Sequence, residues 1–167
     1  MTEAGRYAFA PIGVVRSPYT SPEGMPIQPV GAAAVTAEVI IDDAYADGLD
    51  DLDGFSHIYM LYLFHRAGPV SLKVVPFMDT IGRGVFSTRA PNRPNPIGLS
   101  LTRLVARAGN TLTIAGVDML DGTPVLDIKP YVPALQPDVD VRIGWMEGRS
   151  DNFAGLAADG RFRGGPR

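Results

Sequence analysis

The stretch FSHIYMLYLFHRA, residues 55–67, contains an unbroken apolar run of seven residues from Ile58 to Phe64. Such a run is short for a buried helix, but it suits a β-strand that is covered on both faces. His57 and His65 bracket the run, and a fully extended strand would hold them about 26 Å apart. The stretch therefore predicts a buried strand with a histidine at each end, and the two histidines cannot serve one site within a monomer.

Segments on both sides of this run also have the pattern of short strands. Residues 35–41 place apolar side chains at every second position, which is typical of a half-buried strand. Ala108-Gly109-Asn110 predicts a hairpin turn. Further candidate strands are residues 8–16, 70–77, 97–107, 111–117 and 125–131. We therefore predict an all-β fold, either an antiparallel β-barrel of short strands or a sandwich.

One or two short helices are expected beside the strands. The acidic segment from Asp42 to Asp53 predicts a surface excursion with a helical turn before Leu49. A second helix is predicted within residues 150–158, starting at Ser150 or Asp151. The tail RFRGGPR, residues 161–167, is predicted to be disordered.

Composition narrows the class of protein and the chemistry that it can carry. The 167 residues are 46% hydrophobic and 20% charged, which fits one soluble globular domain. There is no cysteine and there are only two histidines, so neither a disulfide nor a metal site is predicted. Neither a run of transmembrane length nor a signal-peptide pattern is present, so we expect a cytoplasmic protein without a membrane partner.

Charge is unevenly distributed along the chain. The net charge of −3 does not indicate a nucleic-acid-binding protein. Aspartates cluster in residues 42–53, whereas arginines cluster in residues 83–107. A locally basic surface can attract a polyanion even when the total charge is slightly negative, so the arginine-rich segment is compatible with RNA but does not predict it.

The stretch GVFSTRAPNRPNPIGLS, residues 84–100, is the candidate site. Its three prolines restrict their own backbone and that of the preceding residues, so the loop is stiff. It carries Arg89, Asn92, Arg93 and Asn95, and apolar residues at both ends predict that buried strands hold it. A stiff loop can hold donors in place before a ligand arrives. The alternative is a solvated connection that the prolines merely rigidify.

Other polar residues lie where predicted strands end. Gln28 lies in the first long loop, His65-Arg66 follows the apolar run, and Asp118 and Asp121 flank a turn. Each of them taken alone fits a capped turn or a solvated position better than it fits a binding site. The chain contains neither a phosphate-binding loop nor a GxGxxG fingerprint, and no serine triad can be identified. Residue patterns alone thus lead to a β-rich domain with one stiff Arg/Asn loop.

Four segments together resemble the TsaA-like domain of the TrmO family, and the resemblance runs from about Ile12 to Trp145. They are IGVVRSPY (12–19), FSHIYMLYLFHR (55–66), GVFSTRAPNRPNPIGLS (84–100) and DMLDGTPVLDIKPYVP (118–133). The resemblance implies a β-barrel methyltransferase that uses S-adenosylmethionine to methylate N6 of threonylcarbamoyl-adenosine beside the anticodon of tRNA. It also implies a homodimer with the cofactor near the subunit interface. Residues 1–145 would form this domain and residues 146–167 a C-terminal extension.

The resemblance also implies which residues bind the cofactor. By position, that set is Pro26, Ile27, Gln28, His65, Arg66, Arg89, Leu99, Leu120, Asp121, Gly122 and Thr123. We expect Arg89 to hold the carboxylate of the cofactor, and Asp121 or nearby carbonyls to lie near its sulfonium. Arg93 and Asn95 are the predicted catalytic residues on the acceptor side, because they share the stiff loop with Arg89.

The chain departs from the bacterial members of the family at two points. Arg66 stands where the bacterial enzymes have glutamine, and the chain ends soon after the predicted barrel, without a smaller C-terminal domain. Two alternatives therefore stand beside the tRNA methyltransferase. One is a methyltransferase that acts on a small molecule or a protein, and the other is a non-catalytic S-adenosylmethionine-binding or sensor domain.

Overall fold

Eight strands form the framework of the chain, seen in a computed structural model that describes residues 5, 7–136, 140–149, 155–159 and 161–162. In chain order they are β1 (Gly13–Arg16), β2 (Thr36–Ile41), β3 (His57–Leu63), β4 (Lys73–Val74), β5 (Arg83–Gly84), β6 (Ile97–Ala108), β7 (Thr111–Ala115) and β8 (Pro124–Pro130). Six of them close into a barrel in the order β1-β2-β7-β6-β3-β8, and β4 pairs with β5 beside it. Every pairing is antiparallel. The predicted all-β barrel is confirmed.

The barrel interior is filled by alternate residues of its strands. Ile58, Met60 and Tyr62 of β3 are buried, whereas the residues between them are only half-buried. The prediction that β3 is covered on both faces is therefore wrong for its outer face, because in a closed barrel of this size only the inner side chains reach the core. The other large members of the core are Val15, Val39, Ile41, Leu49, Leu112, Ile114, Val117, Met119 and Val125.

Two predicted strands are shorter in the structure by five residues or more. The first begins only at Gly13, where pairing with β2 and β8 starts. In the segment 70–77 only Lys73 and Val74 pair, and their partner β5 is itself two residues long. Pro76 cannot donate to a ladder, so the strand ends before it. The hairpin turn is present as predicted, with Gly109 at a φ of +61° between β6 and β7.

The helical elements of the described residues are short 3-10 helices. They are Pro29–Ala32, Asp43–Leu49, Leu52–Gly54, Val85–Ser87, Pro133–Leu135 and Gly144–Met146. The helical turn predicted before Leu49 is thus confirmed. Within the described part of the chain, no helix is long and apolar enough to cross a membrane.

The predicted helix at 150–158 falls partly outside the described residues, which lack 150–154. In its described part Ala157 forms a β-bridge with Pro26, so residues 156–158 are extended rather than helical. Pairing with the first loop satisfies backbone groups that a helix would have used internally. Residues 163–167 of the tail predicted to be disordered also lie outside the described residues.

We expect Gly13→Ala to destabilise the barrel at its closure. A Cβ at Gly13 would lie 2.3 Å from the carbonyl oxygen of Ile40, and that backbone is fixed by the β1–β2 ladder. The cost should be about 1–3 kcal/mol in the free energy of unfolding, measured by urea titration. Gly84→Ala is the control, because a Cβ there meets no atom within 4 Å. Equal unfolding midpoints for the two variants would contradict the prediction.

Candidate functional site

A pocket of about 630 Å³ lies at one end of the barrel. Because neighbouring strands are antiparallel, the end of β3 and the starts of β6 and β8 lie at this same end. The pocket is within the range of about 300–1,000 Å³ that is typical of small-molecule sites. Predicted site residues that line it are Pro26, Ile27, Gln28, His65, Arg66, Arg89, Arg93, Asn95, Leu99, Leu120 and Thr123.

Asp121 and Gly122 are the two predicted site residues that are not among the lining residues. Asp121 Oδ1 accepts a hydrogen bond from the backbone N–H of Ser17 at 3.2 Å, and Oδ2 lies 3.8 Å from a guanidinium nitrogen of Arg16. Gly122 has a φ of +75° and donates its N–H to the carbonyl of Val15 at 2.9 Å. Both residues shape the turn before β8 in the structure, and their contact with a cofactor stays a prediction.

The end of β3 is tied to two other walls of the pocket. The backbone N–H of Phe64 donates to the carbonyl of Pro96 at 2.7 Å, which joins β3 to the stiff loop. Nδ1 of His65 lies 3.4 Å from Oγ1 of Thr123, at the start of β8. Arg66 donates to the carbonyl of Thr20 at 2.7 Å, which joins the strand end to the first loop.

His65 is held as a neutral ring. Partial burial lowers the pKa of its imidazole below the ordinary value, and the neighbouring charge of Arg66 lowers that pKa further. The ring is therefore uncharged at neutral pH and can both donate and accept one hydrogen bond. A neutral, half-buried ring is suited to hold a polar ligand group in place.

The stiff loop uses its two arginines differently. The guanidinium of Arg89 is exposed at the pocket and donates to the carbonyl of Leu99. Arg93 turns back onto its own loop and donates to the carbonyls of Thr88 and Ala90 at 3.3 and 3.4 Å. Asn95 is exposed and lines the pocket. Arg89 is thus placed to meet a ligand, whereas Arg93 also fixes the shape of the loop.

A hydrogen-bonded chain of three polar side chains in the pocket wall was not identified from the sequence. The hydroxyl of Tyr62 lies 3.0 Å from Oγ of Ser100, and Ser100 donates to Oδ1 of Asp118 at 2.7 Å. Burial raises the pKa of Asp118 to about 6, although the Ser100 hydrogen bond and the charge of Arg89 act in the opposite direction. The available signal was Ser100, a polar residue at an inward-facing position of a β-strand.

The Tyr62 ring lies directly over the backbone of β6. A Cβ at Gly98 would lie 2.3 Å from atoms of this ring, so only glycine permits the observed packing. The ring also contacts Phe64 edge-to-face, with centroids 5.3 Å apart. These contacts hold the Tyr62 hydroxyl in reach of Ser100.

Aromatic and arginine side chains form one rim of the pocket. Phe86 lines the pocket and its side chain is 76% exposed. Trp145 donates its indole N–H to the carbonyl of Ser87 at 2.8 Å, and Arg83 lies over the Trp145 ring at 5.5 Å. Asp79 holds Arg83 with two hydrogen bonds of 2.8 and 2.7 Å. The rim therefore presents π surfaces and guanidinium groups in fixed positions.

The C-terminal segment forms another wall. Ala158 accepts a hydrogen bond from Gly24 and donates one to Met25, each at 2.9 Å. Ala158 and Phe162 line the pocket, and Phe162 packs edge-to-face on Phe77 at 5.2 Å. The extension predicted at 146–167 therefore contributes to the site through its described residues. Among those residues and the rest of the described chain, no group of acidic or histidine side chains could hold a metal ion.

Comparison with known proteins identifies the family. Residues 14–137 match the model of the tRNA-methyltransferase O N-terminal domain. A probable S-adenosyl-L-methionine-binding protein of Pyrococcus abyssi is 48% identical, over 92% of this chain and 84% of that protein. The human tRNA (adenine(37)-N6)-methyltransferase is 38% identical, over 78% of this chain and 31% of that protein. The crystal structure of TrmO from Pseudomonas aeruginosa superposes with a TM-score of 0.71 at 37% identity.

The extent of these matches differs. The TrmO structure covers 84% of this chain, and this chain covers 63% of that structure. The chain thus spans a little under two thirds of the crystallised TrmO and about a third of the human enzyme. The family model nevertheless covers the barrel from β1 to the residues after β8. The resemblance inferred from the four segments is confirmed, and the chain belongs to the tRNA-methyltransferase O N-terminal domain family.

Proposed function

We propose that the chain is a methyltransferase that uses S-adenosylmethionine to methylate N6 of threonylcarbamoyl-adenosine beside the anticodon of tRNA. The observation that carries the proposal is the pocket, where segments 26–28, 65–66, 89–99 and 120–123 meet although they are distant in sequence. Relatives named as S-adenosyl-L-methionine-binding proteins and tRNA (adenine(37)-N6)-methyltransferases support it.

The chemistry of the pocket wall fits this cofactor. The guanidinium of Arg89 is suited to the carboxylate of the amino-acid part. Gln28 offers an amide for hydrogen bonds to adenine, and Phe64 and Leu120 offer apolar surface. When bound, S-adenosylmethionine supplies an electrophilic methyl group. The protein contributes the orientation of the ligand and the exclusion of water.

Arg89→Ala should weaken binding of S-adenosylhomocysteine about tenfold or more, measured by calorimetry. The reason is that a hydrogen bond to a charged group contributes about 1.5–3 kcal/mol. Arg103→Ala is the matched control, because Arg103 is exposed on β6 and does not line the pocket. Equal affinities of the two variants would remove Arg89 from the site. Failure of the unmodified protein to bind either S-adenosylmethionine or S-adenosylhomocysteine would contradict the proposed function itself.

The pocket rim supports a nucleobase as the acceptor. Unstacked bases of RNA bind on aromatic rings and on guanidinium planes. Phe86 and Trp145 supply such rings, and Arg83 is fixed beside them. This arrangement accommodates a flipped-out base despite the net charge of −3 of the whole chain.

Bulk tRNA from cells that lack the modification should accept methyl groups from the unmodified protein, whereas fully modified tRNA should not.

Arg93→Ala should lower kcat about tenfold or more, because it releases the loop carbonyls that Arg93 holds. Asn95→Ala tests the second predicted catalytic residue in the same assay. Affinity for S-adenosylhomocysteine is the control and should change less than about twofold. Full activity of either variant would exclude that residue from the mechanism.

A second candidate function is favoured by the names of the archaeal relatives, which specify binding rather than catalysis. In that case the barrel binds S-adenosylmethionine and either acts on a small molecule or protein or serves as a sensor. If the protein binds S-adenosylmethionine but methylates no tRNA, this second function is favoured over the tRNA methyltransferase. The cytoplasmic location stays a prediction under both.

We also propose that the chain forms a homodimer through the outer face of β3 and β6. This face is a stripe of six apolar residues, Tyr59, Leu61, Leu63, Ile97, Leu99 and Leu101, which lie opposite one another in the strand register. Ile97, Leu99 and Leu101 are 40%, 44% and 36% exposed. Ile97 and Leu99 also line the pocket, so a second copy on this stripe would lie beside the ligand.

Leu101→Lys should shift the protein towards monomer, measured by light scattering after size-exclusion chromatography. The substitution places a charge in the stripe without touching the pocket lining, and its desolvation opposes association. Val105→Lys is the control, because Val105 is 44% exposed on β6, more than Leu101, but lies outside the stripe. A dimer that persists in Leu101→Lys, or an unmodified protein that is monomeric, would contradict the proposal.

A further inference from the structure

Asp118 is a pocket residue to which the expected cofactor contacts give no role. It lies in the segment before β8, is partly exposed, and lines the pocket. Ser100 is the one side chain in the described part of the chain that donates a hydrogen bond to it, and this bond goes to Oδ1. The second carboxylate oxygen is therefore not used by a side chain of the described structure.

The direction of the hydrogen bonds in the Tyr62–Ser100–Asp118 chain is fixed by chemistry. A carboxylate only accepts, so the hydroxyl of Ser100 donates to Asp118. Because the single hydroxyl hydrogen of Ser100 is used in that bond, the hydroxyl of Tyr62 must donate to Oγ of Ser100. Burial raises the pKa of Tyr62, so its proton remains in place. Ser100 thus orients the carboxylate and stabilises its charged form, and Tyr62 holds the Ser100 hydroxyl in that position.

The charged and titratable groups facing Asp118 come from three elements. The charge of Arg89 in the stiff loop lowers the pKa of Asp118. Burial and, after it, the charge of Asp118 raise the pKa of Tyr62 in β3 and of Tyr19 in the first loop. Burial is the largest effect and raises the pKa of Asp118 to about 6. At pH 7 to 8 the group is therefore ionised but more basic than an ordinary aspartate, which is the property of an efficient general base.

We propose that Asp118 accepts the proton lost by the acceptor nitrogen, and that Ser100 and Tyr62 are positioning residues that hold its carboxylate. This inference rests on the proposed function. The acceptor nitrogen loses its hydrogen and gains a methyl group, while the carboxylate of Asp118 becomes a carboxylic acid. The S–C bonding electrons stay on the sulfur of the spent methyl donor. Asp118 returns its proton to solvent when the products leave.

The test compares Asp118→Asn with Asp127→Asn, a control carboxylate that pairs with Lys129 and does not line the pocket. Asp118→Asn should lower kcat about 100-fold or more. Its affinities for both S-adenosylmethionine and S-adenosylhomocysteine should change less than about twofold. Asp127→Asn should leave all three quantities unchanged.

Two measurements distinguish proton transfer by Asp118 from a purely structural role of this residue. NMR titration of carboxyl carbons in the ligand-free protein should show a group with a pKa of about 6 that is absent in Asp118→Asn. The kcat of the unmodified protein should rise with pH through this value and level off above it, because Asp118 must be ionised to accept a proton. Ser100→Ala should move both curves to higher pH, since it removes a donor that stabilises the charged form.

Several results would overturn the proposal. If Asp118→Asn loses affinity for S-adenosylmethionine but not for S-adenosylhomocysteine, Asp118 lies beside the positive sulfonium. If the variant loses affinity for both ligands, Asp118 is a binding residue. Unimpaired turnover of Asp118→Asn would assign proton transfer to another group, such as His65. Absence of methyl transfer by the unmodified protein would overturn the proposed function as well, so the two failures are distinguishable.

Discussion

The contact between the Tyr62 ring and the backbone at Gly98 fixes how β3 and β6 meet. These residues are direct partners in the ladder, and a side chain at Gly98 would overlap the ring. A slip of one residue would put the ring against Ile97 or Leu99 and move β3's apolar side chains to the wrong face of the barrel. The register therefore sets where β3 ends and where the stiff loop joins β6. The distances between His65, Arg89 and Ser100 all depend on it.

The stiff loop supplies the second constraint. Its prolines restrict the backbone. Arg93 adds hydrogen bonds to the carbonyls of Thr88 and Ala90, which lie in the loop outside the strands. The first loop, the end of β3 and the turn before β8 are joined by hydrogen bonds to Arg66, His65 and Asp121. Most walls of the pocket are therefore loops that are held by a few polar contacts at the rim of a rigid barrel.

Local patterns in the sequence located the six barrel strands, although not all of their bounds, but they did not identify all of the site. The apolar run at 58–64 and the turn at Gly109 depend on nearby residues, and both were predicted. Asp118 and Asp121 both flank a turn in the sequence, and the family resemblance indicated Asp121 alone as a cofactor contact. Their difference arises from tertiary contacts. Asp121 accepts a hydrogen bond from the backbone of Ser17, whereas Asp118 faces the pocket and accepts one from Ser100. No local pattern encodes which aspartate of a turn faces a pocket.

The same reasoning applies to Arg93. Its position beside Arg89 suggested a ligand contact, but in the folded protein its guanidinium turns towards Thr88 and Ala90. The family resemblance indicated segments that meet at one pocket, since all but Asp121 and Gly122 of the residues that it indicated line it. It did not distinguish residues that face the pocket from those that hold the turn.

The described part of the C-terminal segment lines the pocket but contributes no strand to the barrel. All six barrel strands end by Pro130, whereas Ala158 and Phe162 complete a wall of the pocket. A chain shortened to residue 145 would retain every strand of the barrel but leave that side open to solvent. The strands of the barrel thus require a shorter stretch of chain than the wall of the pocket does, so an unchanged circular-dichroism spectrum would not show that the pocket is complete.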